Sequence, residues 1–183
     1  RFLLGDGDQG RLDLDGTVRI SGGNLNPRAV LRYERIRPLS EHSLLRSTQQ
    51  LSWERIDGAG AETRLDWEWQ PTSGRVWRWS NKAGVLEKTA GVPWRTALTS
   101  FRRLNDRTAL SMEAGLNGQT RPNLKTEQYF AAIRFRRQFA RPWLFYEVEP
   151  QYAYRTQKGE QEAYSDWGLT LTLEVQFRSD GRY

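Results

Sequence analysis

The one histidine of the chain, His42, stands between Glu41 and Ser43, with Ser40 just before them. A base, a carboxylate and two hydroxyls thus fall within four residues. Nucleophilic catalysis uses these types, but it needs them converging from different elements so that each hydrogen-bonds the next. Neighbours in a single turn rarely hold that geometry, and the group reads as a solvated turn. Two carboxylate pairs offer acid–base chemistry instead: Asp66 with Glu68, and Glu147 with Glu149. Alternate residues of a strand lie about 7 Å apart on one face, a spacing that could suit a general acid and its base. Arg64, Arg78, Arg134 and Arg136, however, share the same phase on neighbouring segments. A buried carboxylate without a partner is costly, so ion pairing is the better reading and no catalytic residue is assigned. No glycine-rich phosphate loop or metal-ligand spacing occurs. Gly5-Asp6-Gly7-Asp8 lacks the further acidic ligands of a calcium loop and is expected to be a flexible amino-terminal segment. With no cysteine in 183 residues, disulfides, thiolate metal sites and thiol nucleophiles are excluded, and no metal or cofactor is expected.

The elements that must carry these residues are strands. Period-two alternation is clearest at the carboxy-terminal end, where Trp167, Leu169, Leu171, Leu173, Val175 and Phe177 take one face. Asp166, Gly168, Thr170, Thr172, Glu174 and Gln176 take the other. About a dozen alternating residues fit the roughly 9–11 that cross a bilayer obliquely. The same pattern recurs at 128–138, 144–154, 64–70, 45–54 and 12–20, and more weakly at 29–35, 76–82, 94–103 and 109–116. The total is about ten strands in one domain spanning 1–183. Mean hydropathy is low, -0.78, and no stretch approaches the roughly 18 unbroken apolar residues of a spanning helix, which excludes a helical membrane protein. It does not exclude a barrel, whose strands need apolar residues only on the lipid side. The expectation is therefore an all-β, closed, antiparallel up-and-down transmembrane barrel, of twelve strands if further strands precede Arg1. A secretory signal would have been removed or lie outside this sequence, which opens without one.

Turn residues fall between the strands, with short sets at 38–43, 71–74, 105–106 and 141–142 and the longest at 82–91, 117–123 and 156–165. Short turns on the periplasmic side and longer outer loops are the asymmetry of such barrels. With that orientation Trp53, Trp94, Tyr129 and Trp167 lie near the outer strand ends, and Trp69, Trp77, Phe135 and Phe177 near the inner ends. These are the two interfaces that amphipathic rings favour. Leu169, Leu171, Leu173 and Val175 are expected to face lipid. Arg64, Asp66, Glu68, Arg78, Arg134, Arg136, Glu147, Glu149 and Glu174 are expected to line the lumen.

The stretch WGLTLTLEVQF, 167–177, resembles the terminal strand of bacterial outer-membrane β-barrels, which alternates apolar residues and closes on an aromatic read by the assembly machinery. Phe177 or Tyr183 would be that aromatic. Preceded by RPWLFYEVEPQYAY, it also resembles the final hairpin of outer-membrane proteins of proteobacteria. The resemblance covers the last quarter of the chain and implies architecture and location in the Gram-negative outer membrane. Its partners would be outer-membrane lipid and lipopolysaccharide, the barrel assembly machinery during insertion, and a possible outer-membrane protein. The outer-membrane protease, phospholipase, palmitoyltransferase and lipid A deacylase families resemble the chain in size, but each depends on a histidine, and His42 falls in a periplasmic turn. An enzyme is therefore not expected. The net charge of +6 could suit a polyanion, yet both signs alternate strand by strand, which argues against nucleic acid as a partner. The leading expectation is a narrow, porin-like pore with a charged lumen. The alternative is a non-conducting structural or partner-binding barrel, with a lipid enzyme or a soluble nucleic-acid-binding barrel behind both.

Overall fold

Alternation along the chain becomes one antiparallel sheet. The structure is a computed structural model that describes residues 2–5, 7–21, 24–55, 58–121, 123–139, 141, 143–156 and 162–175. Among these, eleven strands follow in order: β1 (Phe2–Gly5), β2 (Asp8–Ser21), β3 (Asn24–Ser40), β4 (Ser43–Glu54), β5 (Gly58–Thr72), β6 (Arg75–Leu86), β7 (Pro93–Asn105), β8 (Thr108–Gln119), β9 (Lys125–Gln138), β10 (Leu144–Arg155) and β11 (Tyr164–Val175). Each strand bonds to its sequence neighbours alone, with no crossover. The ten long strands match the number expected from the alternation, and the four-residue β1 is an addition.

Several strands outrun their side-chain pattern. The segment expected at 76–82 continues to Leu86 and that at 109–116 to Gln119, because the backbone ladder persists where glycine breaks the alternation. Gly84 pairs with Glu62, and Gly118 with Trp94. The connections shorten accordingly, to 87–92, 120–124 and 156–163 at one end of the sheet. At the other end lie the two-residue turns 41–42, 73–74 and 106–107 and the longer 139–143. Gly74, at φ 84, supplies the left-handed conformation that a tight hairpin demands and that a Cβ would strain. The asymmetry between the ends holds, although 139–143 is as long as 120–124.

Closure is where the structure departs from the expected barrel. β11 pairs with β10 and with no other strand, and the opposite edge is formed by β1 and the part of β2 that β1 leaves unpaired. The sheet is open among the described residues. Alternation dictates which face each side chain takes, but it carries no information about whether two edges meet. That depends on strand number, tilt and stagger together. Gly5-Asp6-Gly7-Asp8 is a second correction. Gly7 turns the chain between β1 and β2, and Asp8 is buried, taking hydrogen bonds from Arg35 and an ion pair from Arg37 at 3.6 Å. A sequence scan for calcium ligands could not foresee a carboxylate held by two arginines 27 and 29 residues away. Asp6 itself lies outside the described residues.

The two faces are sorted in an unusual direction. Register places Leu171 opposite Val148, Leu173 opposite Tyr146 and Trp67 opposite Trp79 on one face. Glu68 opposite Arg78 and Glu147 opposite Arg136 lie on the other. Among the described residues the one buried hydrophobic side chain is Ala97, whereas Asp8, Asp66, Ser100 and Thr108 are buried. Leu14 is 80% exposed, Trp167 73% and Leu171 70%. Among the described residues nothing packs on the apolar face. The polar face curls: one cavity of about 490 Å³ is lined by side chains from every strand between β5 and β10. In a flat sheet those outer two strands would stand about 24 Å apart.

Candidate functional site

The concave face is a trough of paired charges, each aimed inward by the period-two pleat. Arg64 donates from Nε to Asp66 at 2.9–3.0 Å, and Arg78 donates from Nε to Glu68 at 2.9 Å. Arg46 approaches the same Glu68 at 3.9 Å. Lys82 reaches Glu62 at 2.6 Å, and Arg95 donates to Glu113 at 2.5 Å. Arg134 donates from Nε to Glu149 at 2.5 Å with Glu147 at 3.3 Å, and Arg136 meets Glu174 at 2.8 Å. All nine residues expected to line a lumen therefore share this face, and each is in an ion pair. Neither carboxylate pair stands alone: Asp66 and Glu68 are held by Arg64, Arg46 and Arg78, and Glu147 and Glu149 by Arg134. Charges so paired are held in place.

The pairs are layered. Around the cavity the carboxylates sit deep and the cations stand out: Asp66 is 3% exposed against 44% for Arg64, and Glu149 18% against 54% for Arg134. A long arginine stem covers apolar wall while its head reaches water. Arg46, Lys82, Glu62, Arg95 and Glu113 belong to this arrangement, and reading by strand phase did not single them out. Glu62 and Lys82 carried a signal, lying two and four residues from Arg64 and Arg78 on their own strands, whereas Arg46, Arg95 and Glu113 lie on strands from which no lumen residue had been assigned.

Aromatics also face the trough, among them Phe130 and Phe145, the latter with the Arg136 guanidinium carbon 4.8 Å from its ring centre. The guanidinium carbon of Arg95 lies 4.1 Å from the ring centre of Phe130, a cation–π contact. Gly115 makes room for that ring, since a Cβ there would fall 2.6 Å from it and 2.3 Å from the Thr96 carbonyl oxygen. Gly115→Ala is expected to lower stability by about 1–2 kcal/mol, within the range for overpacking. Urea denaturation of the folded protein measures this, and an unchanged midpoint would remove the steric role.

On the other face, Leu169, Leu171, Leu173 and Val175 are all exposed on β11. Trp53, Trp94 and Trp167 lie toward the end with the longer connections, and Trp69 and Trp77 oppose each other beside the 73–74 turn. Tyr129 stands at the first end, its ring 6.4 Å from that of Tyr154; Phe135, at the second, is 6.1 Å from Tyr146. Phe177, Gln176 and Tyr183 lie outside the described residues. His42 is exposed in the 41–42 turn, where its backbone N–H donates to Ser40 Oγ at 3.3 Å and its carbonyl accepts from Gln70. These are backbone contacts of a turn. Set against known proteins, the chain matches no protein family, and no curated protein or solved structure is detectably similar to it.

Proposed function

We propose that the protein is an integral β-barrel of the bacterial outer membrane, acting as a narrow pore whose lumen is the charged trough. The observation that carries this reading is the sorting of the two faces: leucine and tryptophan stand exposed on one, while Asp66 is buried among ion-paired arginines and carboxylates on the other. Soluble monomers rarely expose contiguous apolar patches beyond a few hundred Å², whereas leucines stand exposed here on strands from β2 to β11. Hydrocarbon is the solvent in which such a face is stable. In that setting the free edges of β11 and of β1 with β2 would carry unpaired backbone groups costing several kcal/mol each. Closure of the ribbon along this seam is part of the proposal. Outer-membrane lipid and lipopolysaccharide would cover the outside, and the assembly machinery would deliver the chain.

A non-conducting barrel is the second reading, favoured by the ion pairs that fill the trough and by the narrow interior of small barrels. Purified protein in planar bilayers is expected to give discrete ohmic current steps. Persistent silence at protein densities that insert into vesicles would replace the pore with the closed scaffold. Recovery of the protein in detergent-free buffer after cell lysis would refute the membrane reading itself.

A further inference from the structure

Sheets ordinarily place opposite charges across from one another, because like charges directly opposed destabilise the pair. The trough breaks this rule at one level. Arg64 on β5 lies opposite Lys82 on β6, and Lys82 opposite Arg95 on β7. Three cations thus stand in a row across three strands, spaced by about 4.8 Å of inter-strand distance. Arg78, on the same face of β6, and Arg134 line the same cavity of about 490 Å³.

The use of the arginine donors is the second observation. Arg64, Arg78 and Arg134 each give Nε–H to a carboxylate seated deeper in the wall. Among the described residues no hydrogen bond engages their terminal Nη groups. A guanidinium has five N–H donors in a planar fork, so each keeps the edge that binds carboxylate or phosphate oxygens bidentately. The acids fix the arginines in place, and the forks face the void.

We propose that this row is a binding site for a small polyanion of the phosphate class, and that the lumen favours anions over cations. Each cation of the row is held by its own carboxylate, Arg64 by Asp66, Lys82 by Glu62 and Arg95 by Glu113, and an anion seated between them takes the free forks of Arg64, Arg78 and Arg134. The inference rests on the trough being the lumen of the proposed pore, but binding at the row is measurable without conductance.

The test uses the full chain folded in a maltoside detergent, which carries no charge or phosphate, and titrates it calorimetrically with inorganic pyrophosphate and with spermidine. Saturable pyrophosphate binding that weakens with added KCl is expected, with none for spermidine. Lys82→Gln and Arg134→Gln are each expected to weaken it at least tenfold, and Arg103→Gln, at the 106–107 turn, to leave it unchanged. Absence of saturable pyrophosphate binding, preference for spermidine, or equal affinity in folded Lys82→Gln and Arg134→Gln overturns the site. If a variant does not fold, the two wild-type titrations decide. The reversal potential under a KCl gradient separates this claim from the one beneath it. Silent bilayers with pyrophosphate bound overturn the pore and leave the site standing, while cation-selective current without binding overturns the site and leaves the pore.

Discussion

Leu171→Arg is expected to remove most of the protein from the membrane, whereas Thr172→Arg, one residue away, leaves most of it inserted. Leu171 lies on β11 opposite Val148, with its side chain exposed on the apolar face. An arginine at mid-bilayer on a lipid-facing strand costs about 2–4 kcal/mol, roughly a 30- to 700-fold shift in the insertion equilibrium. Thr172 lies opposite Glu147 on the polar face, so an arginine there meets carboxylate and water. Protease protection of the membrane-inserted fraction reads both variants, with the heat-dependent change in electrophoretic mobility as a check on folding. Equal loss from the two would mean that the faces are wrongly assigned.

Asp66→Ala carries the other large effect. Asp66 is nearly sealed in the wall, bonded to Arg64 and opposite Arg46 in the register. Arg46 is already constrained, with its Nε buried and unpaired among the described residues. Removing the carboxylate takes from Arg64 its ion-pair partner and leaves Arg46 and Arg78 sharing Glu68. Breaking a buried pair typically costs about 3–5 kcal/mol. Arg64 is almost half exposed, so water screens part of that, and about 2–4 kcal/mol is expected. Asp66→Asn retains an acceptor for the Arg64 Nε–H and is expected to lose less than half as much. Urea midpoints for reversible folding into lipid vesicles order the three proteins. An Asp66→Ala variant as stable as the wild type would show that Asp66 is not an anchor.

The residues differ in how openly they declared these roles. Leu169, Leu171 and Leu173 announced their face through period two, and the same period carried Arg134 and Glu149 to the opposite side. Local alternation is enough for that, because a pleat admits two directions and no more. The row of Arg64, Lys82 and Arg95 was not legible: three residues far apart in sequence become neighbours only through register, which the turns and the extended ladders of β5 to β7 determine. Burial of Asp8 was hidden for the same reason, since its partners Arg35 and Arg37 sit at the far end of β3. The open seam depends on stagger accumulated over all the strands, a sum to which every hairpin contributes and no single segment reveals.

Pairing between sequence neighbours alone has a further consequence, for how such a molecule can change over evolutionary time. Each hairpin is a self-contained unit of girth, so duplicating or deleting one would widen or narrow the ribbon by two strands and leave every other register intact. The row of three cations lies within β5, β6 and β7 and would survive such an edit at either margin.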